Sequence, residues 1–350
     1  MTQAIPQIIK QWNLIGYNGF DSLELSERAA PEVGDNQVLV KIQGASVNYR
    51  DLIIAQGGYP WDLKPNVVPG SDGAGTVLAV GKHVSRFKPG DEVVTIINQQ
   101  HLGGSMNPQS LQSGLGGAID GTLRSIGVFD EQGLVTMPKG LTFIEAATLS
   151  CAGLTAWNAL FGLPGKRLCA GQWVLTQGTG GVSIFAVQFA KAVGARVIAT
   201  TSSQEKSQLL KKLGADHVIN YRETADWGSA AKELTGGSGV DLVVEVSGNS
   251  MAQSVASLKL DATIAIVGSV GGDIKEQPGL LTCWTGLFTA RGVWVGNRLQ
   301  MEEMCQAIEA NLDKLRPVID QRVFTLDQVR DAYEYQWSGK HQGKVGIQVS

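Results

Sequence analysis

The spacing of apolar residues changes character along the chain. In the first 150 residues it is short and alternating. Val38, Val40 and Ile42 alternate with Leu39, Lys41 and Gln43, which predicts a strand with at least one buried face. From Gly70 to Ile97, short β-branched runs recur between glycines, with Lys88-Pro89-Gly90-Asp91 as a turn between two strands. From Asn98 to Gly121 the composition shifts to Gly, Ser, Gln and Asn, predicting a long surface loop too polar to bury. Helical spacing begins near Thr142 and continues from Ile144 through Leu160.

A different regime opens at Trp173. Val174 and Leu175 form an apolar strand, and the chain then breaks at Gly178, Gly180 and Gly181. Val182, Phe185, Ala186, Phe189 and Ala190 follow at three- and four-residue steps, and Arg196 to Thr200 reads as a second strand. Strand, glycine turn, helix and strand make a βαβ unit of about 30 residues. A helix from Gln204 to Leu213 and a strand from His217 to Tyr221 continue the alternation. Val240 to Val246 and Thr263 to Val267 are continuous apolar runs, as central parallel strands require. Trp294 and Val295, between Gly292 and Gly296, look like a last strand. A helix from Glu302 to Leu312 and a strand-like GKVGIQVS close the chain. The fold class is α/β, with a β-rich part preceding a doubly wound parallel sheet.

The glycine turn carries chemistry. The first turn of a helix has unpaired N–H groups and the positive end of the dipole, so it attracts a pyrophosphate. Gly178 permits the tight turn, Gly180 lets backbone approach phosphate, and the third small position is Ser183 rather than glycine. The cradle is therefore Gly178-Thr179-Gly180-Gly181-Val182. The second strand ends in Thr200-Thr201-Ser202-Ser203-Gln204-Glu205-Lys206, with no carboxylate at the tip to bind a ribose 2′-hydroxyl. Ser202, Ser203 and Lys206 suit a 2′-phosphate, so NADP (as NADPH) is expected over NAD; Ser202 is also suited to capping the following helix.

Charge and cysteines narrow the field. With 29 basic and 32 acidic residues the net charge is −3, which argues against a nucleic-acid surface or a basic membrane anchor. Cys151, Cys169, Cys283 and Cys305 form no CxxC pair and read as buried thiols in a reducing, cytoplasmic setting. The N-terminus lacks a signal-peptide profile, and no apolar run approaches membrane-spanning length.

Several stretches together resemble the medium-chain dehydrogenase/reductase family, and most of all its zinc-free quinone oxidoreductase branch. They are Ser46-Val47-Asn48-Tyr49-Arg50-Asp51-Leu52, GSDGAGTVLAVG, FKPGDEVV, LSCAGLTAWNAL, the GTGGVS turn and LGADHVINYRE. The resemblance implies a GroES-like catalytic domain (1–150 and 300–350) with an inserted Rossmann domain (151–299), and the cofactor in the cleft between them. It also implies a homodimer joined through the last Rossmann strand. Zinc-dependent relatives have a cysteine where this chain has Asn48 and a GHE motif where it has Gly70-Ser71-Asp72. Cys151 alone matches a ligand position, and no catalytic metal is expected.

Without a metal, an acceptor that spreads its own negative charge is favoured. The expected reaction is hydride transfer from NADPH to a small-molecule quinone or α,β-unsaturated carbonyl. A zinc-free alcohol or aldehyde dehydrogenase is the alternative enzyme, and an NADPH-binding sensor or scaffold the alternative of another class. The resemblance puts Asn48 and Thr155 beside the nicotinamide. It also makes Tyr59 a candidate proton donor or substrate clamp, although a tyrosine in GGYPW also suits a packed loop. Lys206 and Tyr221 match positions that grip the 2′-phosphate. Gly268, Ser269 and Val270 resemble the loop that touches the nicotinamide end, Ser247 stands at a strand end where open α/β sheets bind ligands, and Lys344 lies in a family-like GKV where a solvated lysine is the ordinary reading. Asp51 and Asp72 are taken as structural.

Overall fold

The structure, a computed structural model, describes residues 5–268, 270 and 277–349. In chain order, the first strands are β1 (Ile8–Leu14), β2 (Leu23–Ala29), β3 (Gln37–Val47), β4 (Asp72–Val80), β5 (Glu92–Thr95), β6 (Ile126–Asp130) and β7 (Leu134–Thr136). Next come β8 (Trp173–Gln177), β9 (Arg196–Thr201), β10 (His217–Asn220), β11 (Val240–Glu245), β12 (Leu258–Ile266) and β13 (Thr289–Gly292). The last two are β14 (Phe324–Thr325) and β15 (Val345–Gln348). The chain divides into two compact units, one of residues 1–152, 297–312 and 316–350, the other of 153–296 and 313–315.

The first unit is built on the sheet β14-β15-β3-β4-β5-β7, with β6 also paired to β3; β1 and β2 form a separate antiparallel pair. Its central strand β3 is buried along most of its length, which explains the short alternating pattern and the extra apolar Leu39. β3 crosses β4 so closely that a Cβ on Gly75 would lie 1.9 Å from the Lys41 carbonyl oxygen, so only glycine fits there. The C-terminal strand β15 returns antiparallel to β3, with Val345 opposite Val47. This pairing brings the C-terminal lysine to the end of β3, where the Tyr49–Ala55 helix begins. Trp12, Leu52, Ile54, Tyr333 and Ile347 share the core beneath that helix.

The predicted polar loop from Asn98 to Gly121 is folded rather than splayed. Asn98, Gln99, His101, Ser110 and Ser113 are buried, a short helix spans Pro108–Leu111, and isolated bridges join Asn98 to Gly114 and Leu115 to Ile119. Its amides satisfy their own neighbourhood. Asn98 Nδ2 donates to the Ser110 carbonyl (2.8 Å), and Gln99 Nε2 donates to those of Ile96 (2.6 Å) and Gly133 (3.0 Å).

The second unit is a parallel sheet ordered β10-β9-β8-β11-β12-β13. The order reverses between β8 and β11, the switch point at which open α/β sheets bind ligands beyond their strand ends. The last strand is Thr289–Gly292, not Trp294-Val295; Val295 lies beyond it at φ 42°, in the left-handed region. Of the four cysteines only Cys305 is buried and Cys169 is exposed, which corrects the expectation of four buried thiols. Among the described residues no helix is long and apolar enough to cross a membrane.

Candidate functional site

In the first unit, the residues after β3 form a dense polar cluster. Asn48 precedes the Tyr49–Ala55 helix in extended conformation, and its backbone N–H donates to Asp51 Oδ2 at 2.9 Å, closing the first turn. Asp51 Oδ1 in turn accepts from Ser71 Oγ (2.6 Å), and Ser71 Oγ accepts from Arg50 Nη1 (2.7 Å). Arg50 also donates through Nε to Tyr59 Oη (2.9 Å) and through Nη1 to the Leu115 carbonyl (2.8 Å). Lys344 is not solvated. It is buried, and its Nζ donates to the Val47 carbonyl (2.7 Å) and Asn48 Oδ1 (2.5 Å), with Asp72 Oδ2 at 3.1 Å. The predicted Asn48, Tyr59 and Lys344 are thus linked through Arg50, Asp51, Ser71 and Asp72.

The electrostatics follow from this packing. Burial raises Asp51 above the ordinary carboxyl range, while Arg50 and the Ser71 hydroxyl act against that rise. Burial likewise raises Tyr59, opposed by the charge and hydrogen bond of Arg50. The Cys151 thiol, desolvated and facing Asp72, is pushed up to about 12, so it is a poor nucleophile. Asn48 Nδ2 is buried without a hydrogen-bond partner. A buried amide donor in that state is suited to receive an acceptor from a ligand. Among the described residues no group of three or more His, Cys, Asp or Glu is arranged to hold a metal ion.

In the second unit, the turn after β8 has the form a dinucleotide needs. Gly178 has φ +76°, the Gly181–Ala192 helix starts after Gly180, and a Cβ at Gly178 or Gly180 would meet nothing within 4 Å. That open cradle at a helix N-terminus fits a pyrophosphate. Thr179 is buried and Val182 half-buried beside it. Ser183 Oγ donates to the Gln177 carbonyl at 2.6 Å, so the serine in the third position ties helix to strand by a hydrogen bond. At the tip of β9, Ser203 Oγ accepts from Lys206 N–H (3.3 Å), and Tyr221 N–H donates to the Thr201 carbonyl (3.0 Å). Ser202, Ser203, Lys206 and Tyr221 therefore gather around one strand end. Thr155 is buried in the Leu154–Phe161 helix, directly after a π-helical turn, Leu149–Gly153.

Sequence reasoning did not find the group that organises the switch point. Glu245, fully buried at the end of β11, accepts from Gln177 Nε2 (2.7 Å), Ser247 N–H (3.1 Å), Gly248 N–H (3.0 Å) and Ser250 Oγ (2.9 Å), and also from Ser254 Oγ. It thereby shapes the loop carrying Ser247. The signal was a carboxylate inside an apolar run, which must be satisfied if buried. Gly268 is half-buried, Val270 N–H donates to the Val246 carbonyl (3.1 Å), and Ser269 lies outside the described residues. Arg50 and Ser71 are the other members of the polar cluster that the sequence does not single out as site residues.

Known proteins share this plan. Residues 34–139 match the alcohol dehydrogenase GroES-like domain, and residues 181–310 match the zinc-binding dehydrogenase family. A zinc-type alcohol dehydrogenase-like protein of Schizosaccharomyces pombe is 44% identical over 338 residues, 95% of this chain and 96% of that protein. A solved structure from Sinorhizobium meliloti 1021 that carries an alcohol dehydrogenase name is similar at TM-score 0.90 and 37% identity, covering 99% of this chain and 100% of that one. A crotonyl-CoA carboxylase/reductase is similar at TM-score 0.86 and 26% identity, over 99% of this chain and 89% of that one. With these matches running through both units, the chain belongs to the medium-chain dehydrogenase/reductase superfamily and is an oxidoreductase of its alcohol dehydrogenase-like kind, a family that works with a nicotinamide cofactor.

Proposed function

We propose that this protein is an NADPH-dependent reductase that works without a catalytic metal and reduces a quinone or an α,β-unsaturated carbonyl. The observation that carries this is the chemistry of the would-be ligand set. Asn48 Oδ1 is held by the Lys344 ammonium, the Ser71 hydroxyl is shared between Arg50 and Asp51, and Cys151 is left as the single thiol of the set. An amide, a hydroxyl and one thiol beside two cations do not fit a tetrahedral zinc site. The family's zinc is therefore given no part in the reaction.

NADPH, when bound, supplies the hydride. The residues fitted to hold it are the Gly178–Val182 cradle for the pyrophosphate, and Ser202, Ser203, Lys206 and Tyr221 for a 2′-phosphate. For the nicotinamide end the first unit offers Asn48 Nδ2, with Lys344 acting by fixing Asn48, and the second unit by itself offers Thr155, Ser247, Gly268 and Val270. Asn48 offers its unpartnered amide N–H groups as donors and keeps its oxygen turned to Lys344. Tyr59 Oη holds the proton that completes reduction. A conjugated acceptor delocalises its developing negative charge, so hydrogen-bond donors suffice to stabilise it. Four unpaired thiols accord with a cytoplasmic setting. Exposed Leu280, Leu281 and Trp284, close in sequence to the edge strand β13, support a homodimer through that edge.

Alcohol or aldehyde dehydrogenation remains a second reading, favoured by the names of the relatives. A steady-state panel of benzoquinone, cyclohexenone, aldehydes and alcohols, with NADPH, NADH and their oxidised forms and a parallel zinc analysis, tests both. Turnover of conjugated acceptors with NADPH by zinc-free protein is expected. Alcohol oxidation that depends on stoichiometric zinc would overturn the proposal, as would NADPH binding with no acceptor reduced.

A further inference from the structure

We infer that Arg50 is a positioning residue: it holds the Tyr59 phenol oxygen against a guanidinium N–H and so prepares that tyrosine to release its proton. The inference rests on the proposal that Tyr59 is the proton donor, and it names the group that makes a buried tyrosine usable in that role.

The geometry is closely determined. Arg50 Nε donates to Tyr59 Oη at 2.9 Å, and the guanidinium carbon lies 4.9 Å from the centre of the Tyr59 ring. Two further acceptors fix the guanidinium, Ser71 Oγ and the Leu115 carbonyl, both through Nη1. Its side chain is 10% exposed. The loop carrying Leu115 also makes room for it, since a Cβ on Gly117 would lie 2.8 Å from Nη2. An arginine so held cannot follow solvent or reorient freely. Because Nε–H donates to the phenol oxygen, the phenol hydrogen is not spent on Arg50.

The chemistry follows from what the phenol loses. When Tyr59 protonates the carbanion left by hydride addition, its O–H bond breaks, a C–H or O–H bond forms on the acceptor, and a phenolate remains. That phenolate keeps the Arg50 Nε–H bond, now charge-assisted and stronger, until solvent returns a proton. The groups facing Tyr59 act in both directions. Arg50 favours the phenolate; desolvation opposes it most, and Cys151 and Asp51 oppose it further. Arg50 is the cation among them, so the acidity of Tyr59 depends on it.

The test uses the intact protein labelled with carbon-13 at the tyrosine ring, with the Tyr59 signal assigned by its loss in Tyr59→Phe. In Arg50→Met the Tyr59 titration is expected to move up by about one pH unit or more. With benzoquinone and cyclohexenone, kcat is expected to fall by about tenfold or more while KM for NADPH stays within about twofold. Arg50→Lys, which keeps the cation, should recover part of both. If Arg50→Met does not fold, Arg50→Gln carries the titration. An unmoved Tyr59 titration overturns the role of Arg50, whatever the rates do. A moved titration with Tyr59→Phe as fast as the unaltered enzyme overturns the donor assignment, and the inference with it.

Discussion

Replacing Lys344 with methionine is the sharpest probe of how the first unit is held together. Methionine keeps the apolar stem at nearly the same length and removes the ammonium. Three acceptors then lose their donor: the Val47 carbonyl, Asn48 Oδ1 and Asp72 Oδ2. Asp72 suffers most. It is 0% exposed, its Oδ1 already lacks a partner, and after the substitution its Oδ2 retains the hydroxyl of Ser46. Removing one partner of a buried ion pair costs about 3–5 kcal/mol, because the other charge stays desolvated and unpaired. We expect about 4 kcal/mol for Lys344→Met, read by urea unfolding followed by tryptophan fluorescence. Asp72→Asn in the same chain removes the stranded charge, so the double variant should be less damaged than the sum of the singles by roughly 1–3 kcal/mol. The exposed Lys340→Met supplies the control and should stay within about 0.5 kcal/mol of the parent. A cost below about 1 kcal/mol for Lys344→Met, or strict additivity in the double variant, would show that the ammonium is not the counter-charge that the geometry makes it.

Other expectations concern the second unit and the thiols. A Cβ at Gly180 enters open space, so Gly180→Val should leave the thermal midpoint of the ligand-free protein nearly unchanged while weakening NADPH binding by about tenfold or more, measured by calorimetry. Lys206→Ala removes a charged partner worth about 1.5–3 kcal/mol, which predicts a rise in Kd for NADPH of roughly 10- to 100-fold with NADH little affected; equal losses for both would refute the 2′-phosphate assignment. At pH 8, a thiol with its pKa pushed up to about 12 is thiolate in only about one molecule in ten thousand, so iodoacetamide should label exposed Cys169 long before Cys151, as followed by peptide mass spectrometry. Trp284→Glu on the exposed apolar stretch should shift the mass seen by light scattering from dimer to monomer, and an unchanged mass would remove that face as the interface.

What could be read from the sequence was set by how local the cause was. The parallel sheet was legible because a strand covered on both faces must be apolar throughout, and Val240 to Val246 and Thr263 to Val267 carry that signature whatever they pack against. The glycine turn was legible because the φ of +76° at Gly178 is demanded within the turn itself. Edge strand β13, Thr289–Gly292, has no such constraint. Its threonine, alanine, arginine and glycine pattern as loop, while the more apolar Trp294-Val295 beside it attracts the assignment.

The polar residues that matter most were misread or passed over for a single reason. A lysine near a C-terminus is solvated unless something elsewhere needs it, and the partners of Lys344 lie 296 and 297 positions back along the chain. Glu245 sits in an apolar run because Gln177, 68 residues earlier, and the serines after it supply its donors. The amides of residues 98–121 are buried because they bond to backbone that the fold brings around them. In each case the side chain's solvation changes only after distant strands have paired. Propensity and periodicity describe the chain before that event, so a buried, fully bonded polar residue inside a family motif looks identical in sequence to an exposed one. The distinction bears on chemistry here. Lys344 and Arg50 place two cations among the residues that match the superfamily's metal-ligand positions, and that placement is written in pairings no local window contains.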